Sequence, residues 1–245
     1  MGKDHESSKP CESRESVLIA AVRSVLTRVG ARLSPAQMYW VERVMSQLAV
    51  GHWFQQQGFQ PQPLYATRHQ LYSELARPIA DEHVLYLEFG VYKGASLSVW
   101  SQLLQSPRAE LHGFDKFIGL PERWNTYNPR GMFGEADPRA VTQLVNDCRV
   151  RLHVGWFHET LPEFRLPAHE RLVAHFDADL YSSTKYALDW LKNAIHPGSI
   201  LIFDEFYDHM HELRAFDEFL AANSMRFRFL GGATSLSQCA FERIA

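Results

Sequence analysis

The sequence predicts an α/β fold: a doubly wound sheet of about seven strands, mostly parallel, with an antiparallel C-terminal hairpin and helices on both faces. Three observations predict it. From Val84 onward, short apolar runs alternate with segments of helical periodicity. A glycine-bearing strand-to-helix turn lies at Glu88–Ser96, and several later strands end in carboxylates. In open sheets of this kind ligands gather at the carboxyl ends of the strands.

The 245 residues fit one large α/β domain with a helical N-terminal extension. At 46% hydrophobic and 22% charged, the chain can bury a sizeable core. A formal charge of −3 gives no basic surface for nucleic acid or anionic lipid, so neither a nucleic acid nor a membrane is expected as partner. Cys11, Cys148 and Cys239 show no paired spacing, which argues against a disulfide framework and suits a reducing, cytoplasmic setting. No signal peptide or membrane span is legible.

Residues 1–14 read as a disordered polar tail, followed by a helical extension over 15–78. An apolar helix is predicted from Ser16 to Arg28, with Val17, Ala20, Ala21 and Leu26 toward one side. Ser34-Pro35 gives an N-cap and first-turn proline for a helix reaching about Gln57. Met38, Val41, Val44, Met45 and Leu48 are its expected buried stripe. That helix can serve an interface as easily as a core, so a homo-oligomer is one expectation. A linker over 58–65 leads to a further helix at about 67–76.

In the sheet domain, 79–245, strands are expected at 84–88, 111–114, 151–154, 172–176, 199–203, 226–230 and 238–244. Helices are expected at 95–105, 138–148, 184–193 and 211–222. The stretch 116–137 is rich in Pro, Gly and aromatics and reads as a lid, where Trp124, Tyr127 and Phe133 could stack on a ring. A surface loop packed by its own side chains would look similar.

At the turn, Gly90 allows close backbone approach and Gly94 lets the following helix pack onto the sheet. Backbone N–H groups and the helix N-terminus there suit a nucleotide-like cofactor. A dinucleotide fingerprint would need a glycine where Tyr92 stands. Glu88-x-Gly90-x-x-x-Gly94 instead resembles the first motif of class I S-adenosylmethionine-dependent methyltransferases, whose fold is Rossmann-like. Catechol-type members also carry a Tyr and a Ser at the places of Tyr92 and Ser96. The resemblance implies S-adenosylmethionine as cofactor. Glu88 would partner its ammonium, Tyr92 and Ser96 its carboxylate, and Asp115 its ribose hydroxyls. Trp156 and Phe157 would flank the adenine, although Trp156 could equally be core.

Two further strands end in Asp177-Ala-Asp179 and Asp204-Glu205. Four carboxylates at one rim repel one another unless they are protonated, spread in water, or hold a cation. Oxygen ligands favour a hard ion such as Mg²⁺. By resemblance to metal-dependent O-methyltransferases the ligands are Asp177, Asp204 and Glu205, with Asp179 facing the substrate or supporting the ligands from behind. Phe-Asp115-Lys-Phe-Ile-Gly-Leu-Pro, Gly155-Trp-Phe-His-Glu-Thr-Leu-Pro, Phe-Asp177-Ala-Asp-Leu-Tyr-Ser-Ser-Thr and Phe-Asp204-Glu-Phe are similar, in order, to the macrocin O-methyltransferase family. That family includes enzymes methylating sugar hydroxyls of macrolide and aminocoumarin antibiotics. Lys116 departs from its pattern, which has a small residue there.

The expected function is therefore Mg²⁺-dependent O-methylation of a sugar or natural-product small molecule. Asp179, His209 or Asp177 itself would take the hydroxyl proton. A metal-independent methyltransferase and a non-catalytic S-adenosylmethionine-binding protein are the alternatives.

Overall fold

The computed structural model describes residues 14–233 and 235–245. The expected tail, apart from Arg14, lies outside them, as does Cys11. Two compact units divide after Glu42, within the second helix, rather than near residue 79. The first unit holds α1 (Arg14–Gly30) and the start of α2 (Pro35–Gln56). Ser34 caps α2: its Oγ accepts from Gln37 N at 3.3 Å while Gln37 Oε1 accepts from Ser34 N at 2.9 Å.

The stripe expected to be buried on α2 is not. Val44, Met45 and Leu48 are exposed, and the face that packs inward is Ser46, Val50, Trp53 and Phe54. The large aromatic area of Trp53 and Phe54 outweighs the smaller aliphatic stripe in setting the helix's rotation. On α1, Val17, Leu18, Val25 and Leu26 are likewise exposed. No helix among the described residues is long and apolar enough to cross a membrane.

The second unit continues with β1 (Leu64–Tyr65), α3 (Arg68–Ala76), β2 (Val84–Phe89), α4 (Ala95–Leu103), β3 (Glu110–Asp115), α5 (Pro138–Val145) and β4 (Val150–Val154). Then follow α6 (Phe157–Thr160), β5 (Arg171–Phe176), α7 (Tyr181–Leu191), β6 (Ile200–Phe203), α8 (Glu212–Ala222), β7 (Phe227–Ala233) and β8 (Gln238–Arg243). They form one eight-stranded sheet in the order β1-β7-β8-β6-β5-β2-β3-β4. Strands β2 to β6 run parallel, and β8 is antiparallel to both β6 and β7. The C-terminal hairpin is as expected, but it does not close the sheet's edge. Leu64–Tyr65, in the expected linker, pairs with Gly232–Ala233. Two residues are too short to show a periodicity.

Central strand β2 is buried along its whole length, so both of its faces must be apolar or internally paired. One face packs the aromatic cluster of Phe89, Phe176, Phe203, Phe216 and Phe241 with Trp53 and Phe54. The other packs Tyr72, Tyr86, Leu97, Trp100 and Ile202.

Candidate active site

Phe114, Phe89, Phe176 and Phe203 occupy matching register positions on β3, β2, β5 and β6. Their rings stack side by side, with centroids 5.6, 5.1 and 5.0 Å apart. Because side chains alternate along a strand, the residue after each phenylalanine starts at a common level on the rim. Gly90 N donates to Phe114 O, Asp177 N to Phe89 O and Asp204 N to Phe176 O, each at 2.9 Å. This row sets the height at which Asp115, Gly90, Asp177 and Asp204 leave the sheet.

The turn after β2 is as tight as its glycines suggest. Gly90 has φ +93°, and a Cβ there would lie 1.8 Å from the backbone oxygen of Asp177. Its bareness is thus demanded by the neighbouring strand of the same chain. Gly94, at φ +77°, leaves room for Val141 of α5. Asp115 organises the turn from below: Oδ2 accepts from Val91 N and Tyr92 N at 2.9 Å each, and Oδ1 from Phe117 N at 2.7 Å. These three bonds leave about one of its four lone-pair positions open toward the cavity.

Beneath the rim runs a buried polar chain. Ser96 Oγ donates to Glu88 Oε1 at 2.8 Å, and Tyr86 Oη to Glu88 Oε2 at 2.5 Å. Tyr86 Oη also lies 2.8 Å from His175 Nδ1. On the other side, His175 Nε2 is 3.4 Å from Tyr72 Oη and 3.5 Å from Asp204 Oδ1. Tyr72 donates to Asp204 Oδ1 at 3.0 Å, and Arg68 Nη1 reaches Asp204 Oδ2 at 3.1 Å. Burial alone would lower the His175 pKa, but its bonds to Asp204 and Glu88 win and raise it to about 10. An imidazolium thus sits between two carboxylates.

Asp177, Asp179, Asp204 and Glu205 line one cavity of about 630 Å³, together with Asp115, Gly90 and Tyr92. No described residue donates a hydrogen bond to the carboxylate of Asp177 or of Asp179. Burial, then Asp204 and Asp179, raises the Asp177 carboxyl well above its ordinary range. Burial, then Asp204, Asp115 and Asp208, lifts Asp179 to about 7. Burial, then Asp204 and Asp179, lifts Glu205 to about 8. Burial works against ionisation of Asp204 too, yet His175, Arg68 and Tyr72 hold it below the usual value. One ionised carboxylate surrounded by three reluctant ones is a site that gains from a cation.

The donor chemistry fits a hard divalent ion. Ligand atoms of His175, Asp177 and Asp204 lie within 4.8 Å of one another. Both nitrogens of His175 are already engaged and the ring is fully buried. Asp177 and Asp204 offer the oxygens of that group; Glu205, expected with them as a third ligand, lines the same cavity but is not part of the group whose atoms lie that close together.

The stretch 116–137, expected as a lid, contributes Gly119, Leu120, Trp124 and Phe133 to the cavity wall. Leu120 N donates to Met132 O and Gly131 N to Leu120 O, both at 2.9 Å, which makes 116–137 a folded loop. Trp124 Nε1 donates to Asp208 Oδ2 at 3.0 Å and Ser182 Oγ to Glu122 Oε1 at 2.6 Å. The Tyr92 hydroxyl donates to Glu135. Trp124 and Phe133 line the cavity, whereas Tyr127 is exposed and does not.

The expected site residues divide accordingly. Gly90, Tyr92, Asp115, Trp156, Phe157, Asp177, Asp179, Asp204 and Glu205 line the cavity. Glu88, Gly94 and Ser96 lie behind the turn rather than in the wall, because the Glu88 carboxylate is spent on Tyr86 and Ser96. Phe157 opens α6. His209 is not in the wall; its Nδ1 lies 2.9 Å from Ser46 Oγ of α2. Sequence reasoning missed Arg68, Tyr72 and His175. Alternation on β2 and β5 places Tyr86, Glu88 and His175 on one face and could have revealed the last; nothing local marks Arg68.

Comparison with known proteins agrees with this architecture. The model of a methyltransferase domain family matches residues 87–206. A 4'-O-methyltransferase of Streptomyces olivaceus, which acts on 8-demethyl-8-(2,3-dimethoxy-alpha-L-rhamnosyl)-tetracenomycin C, is 37% identical over 73 residues. That match spans 28% of this chain and only 27% of the relative's length. Among solved structures, the calicheamicin methyltransferase CalS11 aligns with TM-score 0.57 at 22% identity, covering 86% of this chain and 94% of that one. The O-methyltransferase NovP aligns with TM-score 0.57 at 18% identity, covering 73% and 80%. These two likenesses speak for the fold. With the family match over β2 to β6 and the glycine turn that opens it, the chain belongs to the class I S-adenosylmethionine-dependent methyltransferases.

Proposed function

We propose that this protein is an O-methyltransferase that moves a methyl group from S-adenosylmethionine to a hydroxyl of a sugar or other natural-product small molecule, with Mg²⁺ at the acceptor. The observation that carries this reading is the convergence of Asp177, Asp179, Asp204 and Glu205 on the cavity that also contains the Gly90–Tyr92 turn and Asp115. S-adenosylmethionine supplies an electrophilic methyl group, and a divalent ion lowers the pKa of a coordinated hydroxyl.

The chain's own residues do the rest. Asp115 and the turn hold the donor's ribose side, with Trp156 and Phe157 at its base. Asp177, Asp204 and Glu205 hold the ion. Asp179 lies in the wall with no hydrogen-bond donor on its carboxylate, so it is placed to take the acceptor proton. His209 is too committed to Ser46 to be preferred for that role. Lid residues Trp124 and Phe133 exclude water and offer aromatic faces to a sugar ring. The rhamnosyl acceptor named for the Streptomyces olivaceus relative supports the sugar reading.

A metal-independent methyltransferase is the second reading, and Arg68 on Asp204 favours it, since a guanidinium already neutralises that carboxylate. Self-association through α1 and α2 is supported by the exposed apolar side chains there. The decisive experiment incubates the purified protein with labelled S-adenosylmethionine and a panel of glycosylated natural products. Turnover abolished by chelator and restored by Mg²⁺ is expected. Turnover indifferent to chelator selects the metal-independent reading, and no calorimetric binding of S-adenosylmethionine sinks both.

A further inference from the structure

Asp204 is gripped from three directions, and only one of the three groups can leave. Tyr72 and His175 are fully buried and both face Oδ1. Withdrawing either would unmake the core between β2, β5 and α3. Arg68 differs. It is the first residue of α3, its side chain is 46% exposed, and its head lies in the cavity wall against Oδ2. Oδ1 being committed to buried donors, Oδ2 is the oxygen that Asp204 can offer to an ion. Asp177 and Glu205 also act on the same guanidinium. The arginine therefore stands where the charges of the cluster focus, on the atom an incoming cation needs.

We propose that Arg68 is a built-in counter-cation: it covers Asp204 Oδ2 while the site holds no ion, and it must swing off that oxygen for a divalent ion to bind. This rests on the assignment of Asp177, Asp204 and Glu205 as metal ligands made above. The flexible stem of an arginine at the start of a helix permits such a move with no change of backbone, and the half-exposed position gives the freed head access to water. Arg68 then sets the affinity of the metal site. It lets the carboxylates stay close together before loading, and it keeps weak or singly charged ions out.

The test is Mn²⁺ binding to the full chain without cofactor or acceptor, read by electron paramagnetic resonance of the free ion. Arg68→Met keeps the aliphatic stem and removes the competing charge; it should tighten Mn²⁺ binding by about tenfold or more, since a like charge a few ångströms away is removed. Arg68→Lys keeps a charge and should stay near the wild type. Circular dichroism establishes that each variant is folded. Unchanged or weaker Mn²⁺ binding in Arg68→Met, with wild-type protein binding normally, overturns the gating role alone. If no form of the protein binds Mn²⁺, the metal assignment fails and the gate falls with it.

Discussion

Glu88 and His175 face one another in the register of β2 and β5, with the Tyr86 hydroxyl spanning them. Both are fully buried, with His175 Nδ1 3.8 Å from Glu88 Oε2. His175→Leu leaves Glu88 and Asp204 buried without their common partner, and we expect it to cost about 3–5 kcal/mol in urea unfolding. A loss below about 1 kcal/mol would show that the histidine does not carry this pairing.

The turn at Gly90 offers a sharper contrast. Gly90→Ala puts a methyl group 1.8 Å from Asp177 O at a positive φ. It should destabilise the fold by about 3 kcal/mol or more and abolish S-adenosylmethionine binding in calorimetry. Gly51→Ala, in α2 with nothing within 4 Å of the added carbon, should instead raise stability by about 0.5–1 kcal/mol. Equal effects of the two substitutions would contradict this account.

These two residues also mark what the sequence could and could not say. The Gly90 turn was legible because its constraint is local: a strand, a bare backbone and a helix start within a few residues. The carboxylates at the strand ends were legible because parallel strands must deliver their ends to one rim. Their partners were not. His175 reads as an apolar-strand histidine until β2 is laid beside it, and Arg68 meets Asp204 only through the packing of α3. Glu88 misled for the same reason, since its partners Tyr86 and Ser96 are supplied by tertiary alignment. On α2 the periodicity named an apolar face, but the aromatic residues further along chose another.

Asp179 lies in the cavity wall, and no described residue donates a hydrogen bond to its carboxylate. Asp179→Asn should lower kcat by about 10²–10⁴-fold as a lost general base, while the dissociation constant for S-adenosylmethionine stays within about threefold. Retained kcat would remove Asp179 from proton transfer.

A pH dependence of stability is expected from His112 on β3. His112 Nδ1 is 2.9 Å from His153 Nε2, and Glu110 lies 3.7 Å from its other nitrogen. Burial first, then His153 and Arg151, lowers the His112 pKa from 6.5 to about 4. A depressed histidine resists protonation in the folded state, so its stabilising contribution is whole above pH 6.5 and declines as pH falls toward 4. The loss amounts to about 3 kcal/mol over that window. His112→Gln should flatten the acid limb of a stability–pH curve, and an unchanged limb would place the effect elsewhere.

Exposed Leu18 and Leu26 on α1 predict concentration-dependent association. Light scattering of the wild type should show a dimer or larger species, and Leu18→Glu with Leu26→Glu should return it to monomer. Wild type that remains monomeric at high concentration excludes self-association through this helix.

The row of Phe114, Phe89, Phe176 and Phe203 has a consequence for how such a protein can change. It fixes strand alignment with groups that never meet a ligand, one residue below the point where chemistry starts. The loop between Asp115 and Pro138 lies above that line and takes no part in the row. A different loop spliced between Asp115 and Pro138 is therefore expected to leave the alignment of the sheet unchanged, so that what the loop contacts can be engineered separately from the scaffold beneath it.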